Sequence, residues 1–142
     1  MKFNLSKFIT TFIILLTFSC TKPNAGYYDD GGRDSFNIHL DEVVYLSFHE
    51  NSTTGYTNCW LNENDCQSVK LINRVSHSNS ENSKEIVIGG GETITMSFIG
   101  KTTGIDTIKI ANCPTLRERK TCTEYNPKNT KSDIEIIVEV TK

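Results

Sequence analysis

Ile134, Ile136, Val138 and Val140 recur at every second position, with Glu135, Ile137, Glu139 and Thr141 between and after them. A period of two places every second side chain on one face of a strand, so this segment reads as a half-buried β-strand. The same period recurs along the chain. Phe36, Ile38 and Leu40 alternate with polar residues, as do Val44, Leu46 and Phe48. So do Ile94, Met96 and Phe98, and later Ile108 and Ile110. Val69 to Val75 reads as a less regular strand, and Glu85 to Ile88 as a short one that ends in Gly89-Gly90-Gly91. No stretch has helical periodicity. About seven short strands separated by Gly, Asn and Ser clusters predict an all-β fold, an immunoglobulin-like antiparallel β-sandwich.

The domain begins at Ser35. Residues 1–19 carry Lys2 and Lys7, then an apolar run from Phe8 to Phe18, which reads as a signal peptide. Ser19-Cys20 at its end marks a lipoprotein-type site, with Cys20 acylated as the first mature residue. The alternative is ordinary cleavage nearby, after Ala25. Residues 20–34 contain Pro23, Gly26, Gly31, Gly32 and Asp29-Asp30 and read as a flexible tether. The expected location is a bacterial cell envelope, lipid-anchored and periplasmic or surface-facing; without acylation the protein is secreted. Residues 35–142 form the single expected domain.

The whole chain has 15 basic and 17 acidic residues. Removing Lys2 and Lys7 with the signal leaves 13 minus 17, a net charge of −4. That balance argues against nucleic acid as a partner, since phosphate binding needs a concentrated basic face. The basic cluster Arg117-Glu118-Arg119-Lys120 is short and interrupted by an acid, as in a solvated loop tip. No metal or cofactor site is expected, and no strained Gly-x-Ser-x-Gly nucleophile turn occurs. His39, His49 and His77 read as surface histidines. Cys59, Cys66, Cys113 and Cys122 are an even set in an exported chain, and their wide spacings favour disulfides over zinc. Two disulfides are expected, with all three pairings open.

Two turns stand out. Asn51-Ser52-Thr53-Thr54-Gly55-Tyr56 lies between strand-like stretches, and Gly89-Gly90-Gly91-Glu92-Thr93 leads into the Ile94 strand. The first resembles the Asn-Pro-Thr-Thr-Gly-Tyr signature of the chagasin family of cysteine protease inhibitors. The second resembles that family's Gly-x-Gly-Gly-Thr turn, with Met96 and Phe98 at the strand's inward positions. The likeness covers roughly residues 35–142, and Lys101 to Ile110 fits the segment that follows. Ser52 stands where the family has proline, and Glu92 where it has glycine. Two extra residues separate Tyr56 from Trp60. In place of Arg-Pro-Trp the third region reads Cys113-Pro114-Thr115-Leu116-Arg117.

The resemblance implies a non-enzymatic, monomeric inhibitor whose partner is a papain-like cysteine protease. Asn51, Ser52, Thr53, Thr54, Gly55 and Tyr56 would enter the cleft, with Thr53 and Thr54 supplying hydroxyls and Gly55 allowing close backbone approach. Tyr56 would brace the loop from beneath. Gly89, Gly90, Gly91, Glu92 and Thr93 would take one flank, and Pro114, Leu116 and Arg117 the other. Cys59 and Trp60 would anchor the strand below. The competing expectation is a non-inhibitory immunoglobulin-like surface module for adhesion or envelope assembly.

Overall fold

The computed structural model describes residues 27–28, 34–78 and 91–142. The expected signal segment, Cys20, the Glu85–Ile88 run, Gly89 and Gly90 lie outside the described residues. Eight strands are described: β1 (Tyr27–Tyr28), β2 (Ser35–His39), β3 (Val43–Glu50), β4 (Thr57–Trp60), β5 (Val69–Ser78), β6 (Glu92–Gly100), β7 (Gly104–Cys113) and β8 (Ile134–Thr141). They form two four-stranded sheets, ordered β1-β3-β6-β5 and β2-β8-β7-β4. Most neighbours are antiparallel, but β1 joins β3 and β2 joins β8 in parallel. The all-β, immunoglobulin-like sandwich expected from the alternation is the fold observed.

The alternating residues face one another between the sheets. Val44, Leu46, Phe48, Ile94, Met96 and Phe98 from one sheet meet Phe36, Ile38, Ile108, Ile110, Ile136, Val138 and Val140 from the other. Trp60 seals this core edge-on against Phe98, with ring centroids 5.0 Å apart and planes at 86°. Its indole N–H donates to Asn62 Oδ1 at 3.0 Å, so the ring is buried without an orphaned donor.

Three details depart from the alternation. Tyr27–Tyr28, inside the expected tether, pair with Tyr45 and Leu46 on the edge of β3, whose backbone groups would otherwise be unpaired. Leu40 is 41% exposed, because β2 ends at His39 and the chain turns through Asp41 at φ +61°. The irregularity of β5 is a register shift between Leu71 and Asn73 that turns Ile72 outward.

Register also decides which connections share an end of the sandwich. Glu50, the last residue of β3, lies opposite Glu92, which lies opposite Ser78. In the second sheet Thr57 lies opposite Cys113. Residues 51–56 cross from one sheet to the other at this end, and residues 114–133 leave β7 from it.

Candidate functional site

Asn51 organises the first loop. Its side-chain Oδ1 accepts from the Thr53 N–H at 3.3 Å and the Thr53 hydroxyl at 2.6 Å. Its carbonyl accepts from the Thr54 N–H at 3.0 Å and the Thr54 hydroxyl at 2.7 Å. These bonds wind Ser52–Thr54 into a 3-10 turn, the local capping chemistry that Asn and Thr favour. Thr53 and Thr54 are exposed. Because their hydroxyl hydrogens are already donated inward, what they offer a partner is oxygen lone pairs.

Gly55 does something other than admit a partner's backbone. It is buried, at φ +79°. A Cβ there would lie 3.2 Å from Arg117 Cγ and 3.4 Å from Leu116 Cβ, so the residues pressing on it belong to this chain. Its carbonyl accepts from the Leu116 N–H at 3.2 Å. Beside it, Arg117 Nη1 donates to the Tyr56 hydroxyl at 3.2 Å, and the guanidinium sits 5.9 Å from the Tyr56 ring centroid. The Thr57 and Thr115 hydroxyls are 2.8 Å apart. Tyr56 thus braces sideways, against the third loop, and Arg117 is occupied by it. Leu116 is left 73% exposed next to the threonine turn.

The third loop is itself pinned. Thr115–Glu118 form a short helix, α1, following Pro114, and Arg119 closes it in the left-handed region at φ +54°. A hydrogen bond from Lys120 at 2.7 Å holds the Glu118 carboxyl below the usual carboxylate range. Thr121 and Glu124 form a capping box, and the Thr121 backbone N–H holds Glu124 down likewise. Between them, Cys122 is bonded to Cys59, with Cα atoms 5.1 Å apart. Cys59 points away from the main core into a second cluster with Leu61, Ala111, Cys113 and Tyr125, on the outer face of β4 and β7.

Among the described residues one disulfide forms where two were expected. The Cys66 thiol lies 3.9 Å from the Thr107 carbonyl, and Thr107 is six positions before Cys113 on β7. Six strand residues span roughly 20 Å, far beyond a disulfide's reach. Burial pushes the Cys66 thiol up to about 12, with Asp106 and Asp65 adding to it. Burial likewise raises Cys113 to about 11. Neither is a nucleophile at neutral pH.

Beneath the first loop is a clamp that the alternation hints at. Glu50 continues the inward series Val44, Leu46, Phe48, and a carboxylate there demands partners. Its Oε2 accepts from the Asn58 N–H at 2.9 Å and from Arg74 Nη2 at 3.1 Å. Arg74 Nη1 also donates to the Asn58 carbonyl at 2.8 Å, tying the edge strand β5 to the edge strand β4. The sequence signal was an acid on an apolar face; its partners could not be read.

Of the glycine turn, Gly91 to Thr93 are described. A Cβ on Gly91 would collide with the His49 ring. Glu92 accepts from the Ser76 hydroxyl. Thr93 lies between His49 and His77 across the sheet. His39 is at the opposite end, its Nδ1 2.9 Å from the Lys142 carbonyl. Among the described residues no group of His, Cys, Asp and Glu is placed to hold a metal ion.

A sandwich that presents a turn-stiffened loop locked to a second loop defines the class. The model of the family described as Chagasin family peptidase inhibitor I42 matches residues 37–128. The chain therefore belongs to the chagasin family, whose members are peptidase inhibitors and not enzymes. Its fold is similar to the crystal structure of the cysteine protease inhibitor EhICP2 from Entamoeba histolytica, with a TM-score of 0.54 at 14% identity, over 84% of this chain and 97% of that one. The solution structure of amebosin gives a TM-score of 0.48 at 17% identity, over 82% and 98%. No curated protein sequence matches the chain.

Proposed function

We propose that the domain is a reversible inhibitor of papain-like cysteine proteases, with Asn51–Tyr56 at the centre of the active-site cleft. Pro114–Arg117 take one flank and Gly91–Thr93 the other. The observation that carries this reading is the junction of two loops about 60 residues apart into one blunt projection, held by the Leu116–Gly55 and Arg117–Tyr56 contacts. A projection already ordered loses less entropy on docking.

The chemistry fits a thiolate–imidazolium pair. A protease of this class attacks a carbonyl in an extended chain, whereas Asn51–Thr54 is wound into a turn whose first carbonyl is tied to Thr54. The loop therefore fills the cleft without aligning a scissile bond. The Thr53 and Thr54 oxygens accept hydrogen bonds, matching an imidazolium that donates them. Leu116 supplies apolar area beside them, the kind of exposed anchor that dominates interface energetics. A lipid on Cys20 would hold this domain, as a monomer, in a bacterial envelope at the end of its tether.

The reading is tested by titrating the purified protein against papain and a cathepsin L-like protease. Inhibition is expected with both. Leu116→Glu is expected to raise Ki on the order of tenfold or more, with Tm unchanged because the side chain is solvent-exposed. No inhibition at micromolar concentration would overturn the assignment. The surface-module reading would need a large apolar patch away from this end. On the outer face of β7 and β8, Ile105 and Ile137 are diagonal neighbours, exposed by 66% and 47%, and make a patch of two side chains.

A further inference from the structure

We infer that the Cys59–Cys122 disulfide makes inhibition redox-dependent, because it seats the third loop against the first and its reduction by a dithiol releases that contact. The inference rests on the inhibitory reading above for its consequence, but its structural half stands alone.

The third loop is tied at its start, where Cys113 pairs with Thr57, and by the buried Tyr125; between these points the disulfide is its covalent tie. The cluster that it covers contains one alanine, one leucine and two cysteines, to which the loop adds Tyr125 and Cys122. Cys122 is four positions after Glu118, the last residue of α1, so a bond at Cys122 restrains α1 directly. The hydrogen bonds that α1 makes toward the first loop and the start of β4 are single ones: the Leu116–Gly55 backbone bond, the Thr57–Thr115 hydroxyl pair and the Arg117–Tyr56 contact. The Arg117–Tyr56 contact is exposed and the Thr57–Thr115 pair only part-buried, so each adds no more than a single hydrogen bond.

The bond is also reachable from one side. A groove of about 240 Å³ runs between the edges of β4 and β5, and Cys122, Thr123, Tyr125, Trp60 and Arg74 line it. Cys122 is half-buried, whereas Cys59 is fully buried. A dithiol's thiolate would therefore attack the Cys122 sulfur, breaking the S–S bond and expelling Cys59 as a thiolate that takes up a proton. The reductant's second thiol then attacks the mixed disulfide. It leaves as a cyclic disulfide, and Cys122 is released as a thiol; two electrons and two protons have passed to the protein. Cys113 lies in the same cluster, yet its raised pKa keeps it protonated, so it does not start this exchange itself. Because papain-like proteases need a free thiol, a reducing medium would activate the target and loosen its inhibitor together.

The test compares the full mature protein, oxidised, with the same protein reduced by dithiothreitol and alkylated by iodoacetamide, after removal of both reagents. Ki against papain is expected to rise on the order of tenfold on reduction, as preorganisation is lost. Hydrogen exchange at the Leu116 amide is expected to quicken while β3 and β6 amides stay protected. The double variant Cys59→Ser/Cys122→Ser should match the reduced protein in any medium. Equal Ki and equal Leu116 protection in both redox states would overturn the inference. So would loss of protection throughout β3 and β6, which would make the disulfide a staple of the whole fold. If the oxidised protein does not inhibit papain, the inhibitory reading falls, and the Leu116 exchange rate alone still decides whether the disulfide seats the loop.

Discussion

The two apolar clusters of this domain are built by different means. Between the sheets, large aliphatic and aromatic side chains from both sheets interdigitate, most of them without solvent exposure. Outside the second sheet, four small or isolated side chains are covered by an irregular loop that adds Tyr125, and are closed by a covalent bond. The first cluster is large enough to hold the fold by burial. The second contributes less burial, and what it secures is the position of α1 against Gly55 and Tyr56. Stability and the proposed binding surface are thus supported by separate parts of the molecule.

Substitutions that separate the clusters test this division, and the largest effect is expected in the first. Phe98→Ala removes a fully buried ring that packs on Trp60 and should cost about 3–5 kcal/mol in urea unfolding. Tyr125→Ala in the second cluster should cost clearly less yet weaken inhibition more per unit of stability lost. Equal destabilisation by the two would break the comparison.

Arg74→Met comes next. It strands the buried Glu50 carboxylate with the Asn58 N–H as its remaining donor. Since Arg74 is partly exposed, the loss should be about 2 kcal/mol rather than the full penalty for a buried pair. Thermal unfolding would measure it. Gly55→Ala should cost about 1–2 kcal/mol for its positive φ and crowded Cβ position. It should also displace Leu116 and Arg117, so its effect on Ki should exceed that of an equally destabilising core variant.

The smallest expected effect is that of pH on the third loop. Hydrogen bonds from Lys120 to Glu118 and from the Thr121 N–H to Glu124 lower both carboxyl pKa values in the folded state. A lowered folded pKa means that the stabilisation is complete above the ordinary Glu value of about 4.3 and is lost as pH falls through the folded value. The Tm difference between wild type and Glu124→Gln should therefore be full at about pH 6 and shrink as pH falls below about 4. A difference that persists in acid would show that Glu124 acts through shape alone.

The sequence by itself determined strands β2, β3, β6, β7 and β8 with their inward faces, and the turn at Asn51–Tyr56. These are local properties: a two-residue period needs only neighbouring side chains, and Asn51, Thr53 and Thr54 form their turn within four positions. What only the tertiary structure decided was partnership. The β3 edge recruits Tyr27–Tyr28, Arg74 reaches Glu50, and Cys59 bonds Cys122 while Cys66 and Cys113 are kept apart by the length of β7. Gly55, which in sequence looked like an opening for a partner's backbone, is covered by Leu116 and Arg117. Each of these contacts joins residues distant along the chain, so its existence depends on strand register and on which edges adjoin, and no local pattern encodes either.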